Sequence, residues 1–380
     1  MTPFKIEISE EVLQDLQKRL SLTRWPDNPE HDGWSYGTNA NYLKELVSYW
    51  QEGYDWRKQE TLLNSLPQFK AVIDGVEIHF VYVKGKGKNP KPLILTHGWP
   101  DSFFRYYKVI PMLADPEAYG GDPAQSFDVI VPSVPGFGFS SKTVKVEDEV
   151  AGIWLKLMKN ELGYHTFYAA GGDVGSGITK ALANQFPDAV KAIHLTDVGY
   201  PNGTEDWSTM SQAEQEFGQF IQQWWMSEGA YNMIQSTKPQ SLSYGLNDSP
   251  VGLAAWIVEK FHAWSDHNGQ IEKRFTKDEL LTNIMIYWVT ETISTSVRYY
   301  ADNARVAYTA YGPKPVERVK APTGVAAFPG DAPLPKEWAE RMANVTRFTK
   351  MPKGGHFAPL SVPDEWVGEV RKFFFGSDIE

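Results

Sequence analysis

The chain has 380 residues, 42% of them hydrophobic and 22% charged. That usage argues against a disordered or fibrous protein and leaves room for one large core with additions, or for two domains. Lys and Arg number 37 against 47 Asp and Glu, and the net charge of −10 disfavours nucleic acid or an anionic membrane as the main partner. The absence of cysteine excludes disulfide scaffolds, Cys-ligated zinc, iron–sulfur clusters and thiol nucleophiles together.

The opening stretch carries Glu7, Glu10 and Glu11, which is wrong for a secretory or transit peptide. No uncharged apolar run approaches the roughly 18 residues that span a bilayer. A soluble protein without a membrane anchor, in the cytoplasm, is expected. Residues 9–22 predict an amphipathic helix: Ser9 is placed to cap it, and Val12, Leu13, Leu16 and Leu20 share one face. Residues 23–67 are rich in aromatics, including Trp25, Trp34, Tyr36, Tyr42, Trp50 and Trp56. With a helix near 39–51, they suggest an arm (1–69) packed over another part of the molecule.

The pattern changes at about residue 70. Segments 70–73 and 76–83 flank Asp74-Gly75, a hairpin signal. Short apolar runs follow at 92–96, 127–131, 167–170 and 192–195, separated by helical stretches at 102–113, 147–162 and 175–186. That alternation predicts an α/β fold with a mostly parallel sheet over 70–199. From 200 to 300 it stops. Helices are expected at 214–225, 250–264 and 278–300, and Trp207, Trp224, Trp225, Trp256, Trp264 and Trp288 lie among them. We read this stretch as a helical cap inserted in the core, which resumes over 301–380 with strands at 324–328 and 345–348 and a helix at 363–375.

Ligands of open α/β sheets bind beyond the carboxyl ends of the strands. Beyond the strand at 167–170 stands Gly171-Gly172-Asp173-Val174-Gly175. This has the spacing of a G-x-S-x-G nucleophile elbow with Asp in place of Ser. Alone, the motif is weak and reads more readily as an Asp capping a helix after a glycine turn. Asp331 and His356 each follow a later strand, however, and Asp173…Asp331…His356 repeats the chain order nucleophile, acid, base. Asp302 and Asp364 follow no strand and are weaker choices for the acid. A carboxylate nucleophile selects attack on an sp³ carbon, leaving an alkyl ester on the enzyme. Water activated by His356, itself oriented by Asp331, would then attack the ester carbon, with the backbone N–H groups of Trp99 and Val174 as the oxyanion hole. The leaving group is then halide or the oxygen of a strained ring.

Several stretches carry a resemblance along nearly the whole chain: Thr23-Arg24-Trp25-Pro26-Asp27, His97-Gly98-Trp99-Pro100-Asp101-Ser102-Phe103, Gly171-Gly172-Asp173, the run YNMIQSTKP at 231–239, LNDSPVGLA at 246–254 and Gly354-Gly355-His356-Phe357. In these the chain resembles the microsomal-type epoxide hydrolases of the α/β-hydrolase fold. The resemblance implies hydrolysis of an apolar epoxide to a vicinal diol with no cofactor and no metal. It carries over Asp173 as nucleophile, His356 as base, Asp331 as its acid partner, and Tyr231 and Tyr300 as phenols that hold the epoxide oxygen. Tyr299 rivals Tyr300, because adjacent helical residues point about 100° apart and only one can face a pocket. The family often has Trp where Val174 stands, so the space beside Asp173 is expected to be wider here. It also implies a cis bond at Trp99-Pro100. The membrane anchor of the mammalian relatives has no counterpart in this sequence.

His97 reads as a structural residue that ties backbone groups. His262, Asp266 and His267 lack a metal-binding spacing. The competing functional readings are a haloalkane or haloacid dehalogenase with the same Asp–His–Asp set, and a non-catalytic binding protein of the same fold. Oligomeric state stays open, a homodimer included.

Overall fold

The computed structural model describes residues 1–28, 33–309 and 312–379. The arm contributes β1 (Thr2–Phe4), α1 (Glu10–Ser21), α2 (Ala40–Glu52) and α3 (Trp56–Asn64). The hairpin is β2 (Gln68–Ile73) and β3 (Val76–Val83). Then come β4 (Lys91–Thr96), α4 (Val109–Ala114), β5 (Phe127–Pro132), α5 (Glu147–Lys156), β6 (Phe167–Gly171), α6 (Val174–Gln185) and β7 (Val190–Leu195). Six helices follow: α7 (Gln212–Ser227), α8 (Ala230–Thr237), α9 (Pro239–Asp248), α10 (Pro250–Ala263), α11 (Lys277–Thr290) and α12 (Ile293–Ala307). After a two-stranded ladder, β8 (Tyr308–Thr309) with β9 (Gly312–Pro313), the chain returns as β10 (Val319–Ala327), α13 (Lys336–Met342), β11 (Ala343–Lys350), α14 (Ala358–Ser361) and α15 (Pro363–Phe375).

One sheet organises all of this. Among the described residues its order is β1-β2-β3-β5-β4-β6-β7-β10-β11. Pairing is antiparallel from β1 to β5 and parallel from β5 to β11. This is the mostly parallel sheet that the alternation of strand and helix predicts. The central strands are apolar without alternation because both faces are covered: every residue of β5 is buried, as are Leu93, Ile94 and Leu95 of β4. Asp74 and Gly75, at φ 51° and 80°, form the two-residue turn of the β2–β3 hairpin. The carboxyl ends of β4, β6, β7, β10 and β11 open on one edge, and every candidate loop leaves from that edge.

The arm is woven in at two levels. Its β1 adds an antiparallel edge strand, which the sequence reading missed. Its helices grip the helical layer: Tyr49 Oη donates to Asp278 at 2.8 Å, Tyr54 Oη meets Thr282 Oγ1 at 3.1 Å, and Arg19 pairs with Asp248 at 2.6 Å. Trp50 and Trp56 are buried, but Trp25 and Tyr36 stay exposed, so the arm's aromatics are not all packing residues. The helix expected over 278–300 is two helices. Glu291 takes the left-handed conformation (φ 53°) and ends α11, and Thr290 Oγ1 turns back to the Ile286 carbonyl at 2.6 Å. Tyr300 therefore lies mid-helix in α12 and not at a helix end.

Candidate active site

The turn from β6 into α6 is built around close backbone approach. Asp173 has φ 58°, a conformation a non-glycine residue adopts only when its surroundings impose it. A Cβ at Gly175 would lie 2.0 Å from the Thr96 carbonyl oxygen, and one at Gly98 would lie 2.5 Å from Asp173 Oδ1. Glycine at these two positions lets the β4 loop and the elbow touch. As a result Trp99 N–H donates to Asp173 Oδ1 at 2.8 Å. The Val174 N–H also bonds the carboxylate. The Trp99–Pro100 peptide is cis.

The other oxygen faces the histidine. His356 Nε2 lies 3.5 Å from Asp173 Oδ2, and His356 Nδ1 lies 3.0 Å from Asp331 Oδ2. The loops that carry the last two are joined by Gly330 N–H, which donates to the Gly354 carbonyl at 2.9 Å, and His356 N–H donates to the Trp264 carbonyl at 3.0 Å. Burial alone would push the Asp173 carboxyl up, but His356 and the Trp99 and Val174 N–H groups outweigh it and hold it below its ordinary value. Burial likewise disfavours the His356 imidazolium, yet Asp331 and Asp173 together raise its pKa to about 10. At rest the pair is a carboxylate beside an imidazolium.

A cavity of about 150 Å³ opens on this pair, lined by Asp173, Asp331, His356, Tyr231, Trp224 and Trp264 among others. That volume admits a group about the size of benzene. A roomier groove of about 630 Å³ between α1 and α9 is lined by Asp15, Arg19, Tyr244 and Asp248 among others and holds no nucleophile–base pair. The Tyr231 ring stacks on Trp99 (centroids 5.4 Å apart, 6° between planes), and Tyr300 meets both edge-on, at 5.8 Å from Trp99 and 6.2 Å from Tyr231. Burial, then the Asp173 charge, pushes both phenols well above their ordinary pKa, so both are neutral donors. Tyr299 points elsewhere: its ring packs on Phe137 at 5.9 Å. The structure thus brings Asp173, His356, Asp331, Trp99, Val174, Tyr231 and Tyr300 together and separates Tyr299 from them.

His97 is structural in its contacts. Its Nε2 accepts from Val134 N–H at 3.1 Å, and its Nδ1 lies 3.0 Å from the Gly98 carbonyl. Asp266 pairs with Arg274 and accepts from Gly354 N–H at 2.7 Å, so it braces the histidine loop. His262 stacks on Trp34 of the arm at 3.7 Å. Among the described residues, no three His, Asp or Glu side chains are grouped to hold a metal.

Sequence reasoning missed two supports. Asp197, just past β7, accepts from Asp173 N–H at 2.7 Å and from Ser176 Oγ at 2.8 Å, and so fixes the elbow. Its signal in the sequence is its place, just beyond the carboxyl end of β7. The second is a buried pair, Asp101 and Arg105. Asp101 Oδ1 accepts from Gly98 N–H at 2.9 Å, and Arg105 donates to Asp101 Oδ2 and to the His356 carbonyl, each at 2.5 Å. It ties the loop holding Trp99 to the loop holding His356. Only the charged residues at i and i+4 hinted at it.

Comparison with known proteins agrees across the chain. Residues 1–106 match the family model described as epoxide hydrolase N terminus, and residues 91–243 match the alpha/beta hydrolase fold. Epoxide hydrolase 1 of Oryctolagus cuniculus is 38% identical over 98% of this chain and 88% of its own length. The crystal structure of juvenile hormone epoxide hydrolase from Bombyx mori superposes with a TM-score of 0.82 at 30% identity, covering 98% of this chain and 93% of that one. The Aspergillus niger epoxide hydrolase structure gives 0.84 at 28% identity, covering 98% and 96%. No helix among the described residues is long and apolar enough to cross a membrane.

Proposed function

The chain belongs to the epoxide hydrolase family, and on that premise we propose that it converts an apolar epoxide to a vicinal diol through an ester on Asp173. The observation that carries this reading is the split environment of one carboxylate. Oδ1 is held by the Trp99 N–H, Oδ2 faces His356, and Asp173 lines the cavity. Oδ2 is then the attacking oxygen, and Oδ1 becomes the ester carbonyl. On this reading the helices α7–α12 act as the cap, and Tyr231 of α8 and Tyr300 of α12 hold the epoxide oxygen.

Ring opening forms the Oδ2–carbon bond and breaks the carbon–oxygen bond of the epoxide. The leaving oxygen takes its proton from a phenol, which is neutral at working pH. Esterification cancels the Asp173 charge and removes part of what holds the His356 proton. The imidazolium proton can then restore the tyrosinate through solvent, which leaves His356 neutral. Neutral His356 accepts a proton from water, the hydroxide attacks the ester carbon, and the Trp99 and Val174 N–H groups receive the oxyanion. Collapse expels the alkoxide, which takes the proton from His356 to give the diol, and the acid left on Asp173 passes its proton to His356, restoring the carboxylate beside the imidazolium. A benzene-sized cavity fits an epoxide ring bearing a small apolar substituent.

Single turnover in ¹⁸O-labelled water tests the covalent step. The first diol should carry enzyme oxygen, with the label appearing in Asp173. Full label in the first diol means that water attacked the ring directly, which would rule out the ester. Halide release from haloalkanes with no diol from epoxides would select the dehalogenase reading instead.

A further inference from the structure

Lys260 is an unusual lysine. It lies on α10 with 5% of its surface exposed, where lysines ordinarily extend their ammonium to water. Its Nζ sits 4.6 Å from the centroid of the Tyr231 ring and 5.6 Å from that of Trp264. Both rings border the cavity with Asp173. The distances are those of a cation–π contact, which strengthens when the cation is desolvated. We propose that Lys260 is a positioning residue for ring opening, its ammonium strengthening Tyr231 as the hydrogen-bond donor to the epoxide oxygen. This rests on the reading of Tyr231 as the acid.

The physical reason is differential. A neutral phenol offers the ammonium only its ring quadrupole. As the proton moves to the epoxide oxygen, negative charge develops on the phenol oxygen and spreads into the ring. The attraction to a fixed ammonium therefore grows from ground state to transition state, which is the condition for acceleration. The ammonium is anchored by the Glu259 carboxylate. Glu259 is the more exposed partner, at 21% of its side chain against 6% for Lys260, so water screens the carboxylate more than the ammonium. The other cation at this cavity, His356, is held between its own two carboxylates. Asp173 and Asp331 oppose loss of the Tyr231 proton, and the Glu228 carboxyl is raised by burial and by Glu259. Lys260 offsets the carboxylates that would otherwise make Tyr231 a reluctant donor.

The test separates the half-reactions in Lys260→Met, which keeps the aliphatic stem, and in Lys260→Arg. Alkylation is followed in single turnover by intact mass, and ester hydrolysis by decay of the mass adduct. Lys260→Met should slow alkylation about thirtyfold, the size of a desolvated cation–π contact, and leave hydrolysis of the ester within about twofold. Lys260→Arg should restore most of the loss. In a Tyr231→Phe background the Met substitution should have no further effect, because the donor that Lys260 contacts is gone. Equal slowing of both steps, or the same slowing in the Phe background, shows a packing role and overturns the proposal. A Tyr231→Phe enzyme that alkylates at the wild-type rate instead refutes Tyr231 as the acid, a distinct failure. If the Met variant does not fold, Glu259→Gln is expected to speed alkylation severalfold by freeing the ammonium from its counter-ion, and an unchanged rate overturns the proposal.

Discussion

Replacing Asp173 by Asn should lower the pKa of His356 and so expose the switch on which the two half-reactions depend. The substitution keeps the shape of the side chain and removes its charge, as esterification does. Asp173 Oδ2 stands 3.5 Å from His356 Nε2. At an effective dielectric constant of about 20, unit charges at that distance interact by about 5 kcal/mol, an upper bound because both groups keep some contact with water. Opposite charges this close move a pKa by about one to three pH units in practice. His356 stands at about 10 with both carboxylates present. With Asp331 alone it should therefore titrate at about 7 to 9. The assay is nitrogen-15 NMR of labelled imidazoles in both proteins, with mass spectrometry to confirm that the amide survives. The same midpoint in both would show that Asp173 does not hold the proton, and the proposed hand-over from imidazolium to base would fail. The wild-type kinetics follow from the same numbers. Alkylation needs the carboxylate, which burial pushes up but His356 and two N–H groups bring below its ordinary value, and phenols that stay neutral as pH falls. Ester hydrolysis needs neutral His356. As pH falls toward 5, hydrolysis should fail before alkylation, and an alkyl-enzyme should accumulate and be visible by intact mass.

Three further outcomes are expected. Gly175→Ala should destabilise the fold by about 3 kcal/mol or more, read by urea unfolding, because its Cβ would meet the Thr96 carbonyl oxygen at 2.0 Å and neither backbone can yield easily. Arg105→Met should cost about 3–5 kcal/mol by leaving Asp101 buried without its partner, and Asp101→Asn in the same chain should recover part of that loss in a double-mutant cycle. The His356 pKa is raised on folding from an ordinary 6.5 to about 10, so its stabilisation is complete below about pH 6.5 and is lost as pH rises through 10. A His356→Gln variant should lack that part of the decline, a comparison made by thermal unfolding across the range.

What could be read in the sequence has a common cause. The strands of a covered parallel sheet are short unbroken apolar runs, and the residues just after them stand at the one edge where a ligand can bind. Strand and loop are contiguous in sequence, so Asp173, Asp331 and His356 could be placed without knowing any distance. The hairpin at Asp74-Gly75 was legible for the same reason, since two residues with positive φ settle it locally. The failures were non-local. The strand β1 has three residues and owes its existence to pairing with β2, some 66 residues away. The break at Glu291 depends on a left-handed residue that no glycine announces.

The choice between Tyr299 and Tyr300 shows where sequence reading stops and packing takes over. Both sit on α12, both are surrounded by apolar side chains, and helical geometry says only that they diverge. What separates them is which rings they meet. Tyr299 meets Phe137, from the turn after β5, and Tyr300 meets Trp99 and Tyr231. Those three partners come from segments that converge only when the helices α7–α12 fold over the sheet edge. The same convergence puts Lys260 beneath Tyr231, although nothing in the Glu259-Lys260 dipeptide distinguishes it from a solvated surface pair. Residues that form the covalent bond are fixed by local backbone shape and so leave a motif. Residues that tune a proton donor act across space through rings and charges, and their signature exists only in the folded chain.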